Sequence, residues 1–268
     1  MSPFWRRLLW LVGGCVVPAL LVLGWQYFYE LKKDEVTIIA SPMQALGKLY
    51  SDWDEFAVNL RLSLWRLIAG VVIGSVLGTA SGIVLARNFK LRAVLLPSFQ
   101  FVASVPLIVY LPFLLMLCGI GEVFKITVVA VSTMLLVNGH AFHAIRQLNP
   151  DYFELSQIYE KSRRQVLMQV LIPAALPAIL SAIRFSLMFG WLAVALSEHA
   201  AAELPGGLGY QILRAKSLAH YAEMYAGAIL LAVVAFGLDL IIMFLQKRLS
   251  SWTDTAETAE DKRTSPTQ

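Results

Sequence analysis

Ionisable and strongly polar side chains stand in or at the ends of long apolar stretches of this chain: Arg66, Asn138, His140, His143, Arg184, Glu198 and Asp239. Such groups are costly in hydrocarbon, so they mark solute paths, gates or buried pairs. Asn138 and His140 either face a cavity or hydrogen-bond between helices. Arg66 and Arg184 lie near span ends, where an arginine either snorkels to the interface or joins a fixed ion pair. Glu198, just before His199, is a gate candidate or an interfacial carboxylate. Asp239 lies deep in an apolar run and needs a partner. None of these groups adds up to a catalyst. There is no H-E-x-x-H, no G-x-S-x-G and no set of convergent carboxylates. There is no G-x-x-x-x-G-K-[ST] either, since Gly47-Lys48 is followed by Leu49, so this chain has no such device for cradling ATP phosphates. No His-x-x-x-His or Cys-x-x-Cys pattern supports a metal. Cys15 and Cys118 sit singly in apolar runs, as packing thiols do.

The elements that must position these groups are membrane spans. The chain has 268 residues, 58% hydrophobic and 15% charged, well beyond the apolar share of a soluble domain. About 20 apolar residues cross the hydrocarbon core. Six stretches qualify: Leu8–Phe28, Leu64–Ala86, Ala93–Leu117, Phe124–Ile145, Leu180–Ala200 and Tyr225–Leu245. The first is too long for a signal peptide and lacks a small-residue cleavage site, so it reads as an anchor. Pro97, Pro106 and Pro112 predict a kink in the third. The reading is therefore an all-α, polytopic bundle of six transmembrane helices. Lys and Arg favour the segments that are inside when the N-terminus is inside, 14 against 8, which places both termini in the cytoplasm. Basic residues border apolar runs instead of clustering with aromatics, which argues against a nucleic-acid partner.

The chain divides into an N-terminal span (1–29), an extracytoplasmic loop (30–63), a core (64–249) with a cytoplasmic loop at 146–179, and a polar tail (250–268) of disordered composition. Ser41-Pro42 reads as a helix N-cap followed by proline at the first helical position. The outer loop near Pro205-Gly206-Gly207-Leu208-Gly209 must bend sharply. Gly70, Gly74, Gly78 and Gly82 recur every four residues and form a groove on one side of the second span. Another helix of this chain, or a second copy, can approach closely there.

Residues 149–177, NPDYFELSQIYEKSRRQVLMQVLIPAALP, form a polar, helix-patterned platform between spans. Asn149 and Pro150 suit a helix start, and Asp151 its positive end. Tyr152, Leu155, Ile158 and Tyr159 give an apolar stripe, which resumes after Glu160-Lys161-Ser162-Arg163-Arg164. Ile172-Pro173 and Pro177 end the second helix and open the next span. The lesser alternative from pattern alone is an interfacial amphipathic loop without a partner.

The segment resembles the EAA loop of bacterial ABC-importer permeases, with Glu154 opening the motif and Ile172-Pro173 closing it. Ser63-Leu64-Trp65-Arg66 with Gly70, Gly119-Ile120-Gly121-Glu122 and Gly207-Leu208-Gly209-Tyr210 extend the resemblance over about Ser41 to Trp252. They are similar to the branch serving nitrate, taurine, alkanesulfonates and related ions. Leu155 and Ser156 stand where the family has two alanines, Glu160 where it has a turn glycine, and Leu107 where it has a second proline. A left-handed turn at Glu160 would cost about 1 kcal/mol.

The resemblance implies a type I (MetI-like) importer of two copies of this chain, two ATP-binding subunits and an extracytoplasmic solute-binding protein. It implies no cofactor on this chain, with ATP hydrolysed on the partner. Contacts to the ATPase are expected from Tyr152, Glu154, Leu155, Ile158, Tyr159, Glu160, Lys161, Ser162, Arg163 and Pro173. Candidates for the path or its gate are Ser104, Pro106, Asn138, His140, Met188, Trp191 and Glu198. The alternative is an ion-coupled carrier or a membrane enzyme. A carrier should show inverted repeats and matched broken helices, and the proline-rich third span has no mate.

Overall fold

The computed structural model of the protein describes residues 3–33, 38–147, 162–201 and 206–249. Every regular element among them is helical. In chain order they are α1 (Pro3–Lys32), α2 (Pro42–Ser51), α3 (Trp53–Arg87), α4 (Phe89–Ser104), α5 (Leu107–Cys118), α6 (Glu122–Arg146), α7 (Arg163–Val166), α8 (Ile172–Ala200), α9 (Leu208–Ser217) and α10 (Tyr221–Leu249). A π-helical stretch, Leu167–Leu171, joins α7 to α8. The platform residues up to Lys161, and the tail from Ser250, lie outside the described residues.

Among the described residues, four helices are long and apolar enough to cross a membrane: α3, α6, α8 and α10 as far as Gln246. The third expected span is not one kinked helix. It is the pair α4 and α5, bent by 107°, and would be a fifth crossing if the pair is one span. The break falls at Pro106 because proline has no N–H to offer the Val102 carbonyl. That carbonyl accepts from Val105 N–H instead, at 3.1 Å. Val105 is extended, as a residue before proline prefers. Pro97 and Pro112 sit inside their helices without ending them. Among the described residues, four continuous helices and one bent pair correspond to five of the six expected spans. α1 is helical across the first expected span but stands outside that count.

Residues 30–63 contain more helix than a loop would. Ser41 caps α2 through a reciprocal box: its Oγ accepts from Gln44 N–H at 3.0 Å, and Gln44 Oε1 accepts from Ser41 N–H at 2.9 Å. α3 then starts at Trp53, ahead of the expected Leu64.

The glycine groove does its packing within the chain. A Cβ at Gly70 would lie 2.5 Å from Val129 Cβ, at Gly78 2.7 Å from the Met134 carbonyl, and at Gly82 2.8 Å from Ala141 Cβ. At Gly74 it would overlap the Ala130 carbonyl. The partners rise in number with the glycines, so α3 and α6 run parallel, backbone against backbone. α8 completes a three-helix core around Leu67, Val71, Phe124, Val129, Trp191 and Val194. A second cluster joins Val137, Ala141 and Ile145 to Leu171, Ala175 and Ile179. A third, Phe56, Leu208, Ala226 and Leu230, fixes α9 and α10 on the start of α3.

Candidate functional site

The alternation of spans brings the N-termini of α3 and α6, the C-terminus of α8 and the start of α9 to one end of the bundle. There the charged groups meet. Arg66 makes four hydrogen bonds. Its Nε and one terminal nitrogen donate to the two carboxylate oxygens of Glu122, at 2.8 and 2.5 Å. The other donates to Glu198 Oε1 at 2.7 Å and to the Gly206 carbonyl at 2.8 Å. Arg66 is 2% exposed and Glu198 fully buried. Lys125, also fully buried, places Nζ 3.8 Å from Glu122. Two cations and two carboxylates balance, which is the condition for keeping charges in a core.

Both carboxylate oxygens of Glu198 accept hydrogen bonds. Its Oε1 also accepts from Ser63 Oγ at 2.7 Å, and its Oε2 accepts from Gly209 N–H at 2.8 Å. Ser63 Oγ in turn accepts from Leu208 N–H, and Asn59 Oδ1 from Gly207 N–H, both at 2.8 Å. Asn59 Nδ2 donates to Gln211 Oε1 at 3.0 Å. Gly206 and Gly207 adopt φ of 124° and 109°, a region open to glycine and strained for other residues.

A second charged pair lies lower on α8. Arg184 donates to both oxygens of Asp239 on α10, at 2.6 and 2.7 Å. Ser181 Oγ accepts from Gln246 Nε2 at 2.8 Å one turn away. Asp239 therefore has its partner, and Arg184 is a fixed ion-pair member instead of a snorkelling end group.

Of the platform, the described portion starts at Ser162. Its Oγ accepts from Gln165 N–H at 3.3 Å while Gln165 Oε1 accepts from Ser162 N–H at 2.8 Å. This is a second reciprocal capping box, so Ser162 opens a helix. That helix does not end at Ile172-Pro173 as expected. It widens into the π-helical stretch, which accommodates the N–H that Pro173 lacks, and runs on into α8. From Arg163 the backbone is therefore helical without a break into α8, a core helix.

The family model for the binding-protein-dependent transport system inner membrane component matches residues 70–255. This chain belongs to that family. Relatives align over nearly all of it. The putative aliphatic sulfonates transport permease protein SsuC of Bacillus subtilis is 29% identical, with 96% of this chain and 92% of the relative covered. The taurine transport system permease protein TauC of Escherichia coli is 29% identical over 87% of each chain. The nitrate import permease protein NrtB of Synechocystis is 26% identical over 88% of each. In fold, the chain resembles an inward-facing MetNI methionine ABC transporter, with a TM-score of 0.65 at 18% identity over 73% of this chain and 96% of that one. It also resembles a bacterial ABC transporter involved in alginate import, with 0.63 at 15% identity over 93% and 100%.

Within this transport-family fold the expected path residues do not form one cluster. Glu198 is in the charged network. Asn138 donates to Ser81 Oγ on α3 at 2.8 Å, a hydrogen bond between helices. Trp191 is buried in the core, its Nε1 without a partner among the described residues. Met188, His140, Ser104 and Pro106 are on exposed faces. Sequence reasoning missed Asn59, Gln211 and the Arg66–Glu198 contact. The spacing of Ser63 and Arg66, one helical turn apart, was the available signal.

Proposed function

We propose that this chain is the membrane-spanning permease subunit of an ATP-binding-cassette importer for a small organic or inorganic anion of the sulfonate, taurine or nitrate kind. The observation that carries this reading is the alignment of relatives with those names over nearly the whole chain, around a family match that runs from within α3 past the end of α10. The chain works as a homodimer in the bacterial inner membrane, surrounded by lipid, with N- and C-termini cytoplasmic. Two ATP-binding subunits and an extracytoplasmic solute-binding protein complete the machine. The chain uses no cofactor itself.

The platform around Tyr152, Glu154, Leu155, Ile158, Tyr159, Glu160, Lys161, Ser162 and Arg163 seats in a cleft of the ATPase. Glu154 and Arg163 make polar contacts, and Leu155, Ile158 and Tyr159 the buried ones. Closure of the ATPase pair pushes this lever, and the continuous helix through Pro173 passes the push into α8 and the core. The bundle rocks open to the outside and relaxes inward after hydrolysis.

Uptake assays test the reading. Deleting the gene in its host and offering labelled taurine, alkanesulfonates, nitrate, cyanate and pyrimidine precursors should abolish accumulation of one of them, with the same loss when the ATPase is inactivated. Accumulation that survives ATPase loss and follows an ion gradient would establish a secondary carrier instead.

A further inference from the structure

The network around Arg66 has a construction that bears on how the bundle moves. Three consecutive N–H groups at the start of α9 are each taken by a side chain of another helix: Gly207 by Asn59, Leu208 by Ser63 and Gly209 by Glu198, all at 2.8 Å. A helix ordinarily caps its N-terminus with one local side chain. Here α3 and α8 cap α9 from outside. Arg66 adds the Gly206 carbonyl and carries the link on to Glu122 of α6. Four helices are thus tied through one pair of buried opposite charges. The fit leaves no slack: a Cβ on Gly207 would run into the Glu198 carboxylate, and one on Gly209 would come 2.6 Å from Ala195 Cα.

We propose that Arg66 and Glu198 are positioning residues that weld α3, α6, α8 and α9 into one body through the whole transport cycle. The bundle then rocks as that body when the platform is pushed. The competing role for Glu198 is a gate that opens at the outer end once per turnover. Such a gate would pull the buried charges apart and leave a carboxylate without its cation at every cycle. It would also release three backbone N–H groups with no alternative acceptor on α9 itself. The inference rests on the permease reading for the existence of a cycle.

Hydrogen–deuterium exchange with mass spectrometry tests it, on the full-length chain co-expressed with its ATPase subunits in lipid nanodiscs. Exchange over residues 206–217 is expected to be slow and equal within about two-fold in the nucleotide-free and vanadate-trapped states. Glu198→Gln, which loses the charge and turns one of the two acceptor oxygens into a donating NH2, should speed exchange over 207–211 by about ten-fold in both states alike. Asn59→Ala, at the half-buried rim, is the milder variant should Glu198→Gln fail to fold; it too should speed exchange equally in both states. A ten-fold rise over 206–217 confined to one state of the unmodified protein, or an Asn59→Ala effect confined to one state, would make the network a gate and overturn the weld. Failure of the ATPase subunits to bind would remove the permease reading and this inference with it. State-dependent exchange removes the inference alone.

Discussion

Arg66 serves two carboxylates of opposite character, and its removal should separate them. Glu198 is fully buried, while the Glu122 side chain is 51% exposed. Arg66→Ala strands a carboxylate in the core and should cost about 3–5 kcal/mol. Glu122→Ala should cost about 1 kcal/mol or less, since water screens that side of the pair. Thermal melting of the two variants in the same detergent distinguishes them. A smaller pair behaves differently. Lys48 Nζ lies 2.6 Å from Asp52 at the end of α2. The Lys48 hydrogen bond, helped by Ser51, holds the Asp52 carboxyl below its ordinary range, and the Asp52 hydrogen bond raises Lys48 above its own. The carboxyl contribution is present above its unfolded pKa of about 4 and is lost as pH falls through the lower folded value. The lysine contribution is present below about 10.4 and is lost as pH rises through the higher folded value. Lys48→Met should therefore lower stability at neutral pH by about 0.5 kcal/mol. That difference should vanish in strong acid, and melting at pH 7 and pH 2.5 would show it.

Helix α3 is legible from its glycines, whose period of four announces a close neighbour. Packing within the chain was the favoured reading, but which helix fills the groove was not legible, because a period of four shows that a neighbour comes close and not which one. Only the collisions with Val129, Met134 and Ala141 decide for α6. Gly78→Val should accordingly force the helices apart and cost about 1–3 kcal/mol or more. Gly237→Ala on α10, where a Cβ meets nothing within 4 Å, should be neutral or stabilising by about 0.5–1 kcal/mol. A comparison of melting temperatures checks both. α10 depends on α8 for its charge. Asp239→Ala should destabilise the bundle by leaving Arg184 unpaired, and the exchange Arg184→Asp with Asp239→Arg should recover much of the loss. If the double variant melts as low as the sum of the singles, the pair contributes no coupling.

At the scale of the whole molecule, the capping box at Ser162 and the π-helical stretch before α8 give a helix that runs from Ser162 into the core, the connection the proposed lever uses. A lever of this kind transmits displacement only if its far end is gripped. Replacing Ile158 and Tyr159 together by Asp should abolish co-purification of the ATP-binding subunits and reduce uptake by more than ten-fold, while the bundle still inserts and melts normally. Retained ATPase binding would place the grip elsewhere.

Composition and the period of apolar runs were enough to specify helices, their rough limits and their alternation across a bilayer, because hydrocarbon permits few other solutions. Capping at Ser41 was readable for a related reason: it is local, and its partners lie three residues apart. The break at Pro106 was not, since three prolines offer three places to bend and local chemistry treats them alike. Nor was the union of Arg66 with Glu198, or of Arg184 with Asp239. Those partners are separated by 132 and 55 residues, and which charge meets which depends on helix rotation and depth. These are set by the packing of glycine grooves and apolar faces, a three-dimensional fit that no linear pattern encodes.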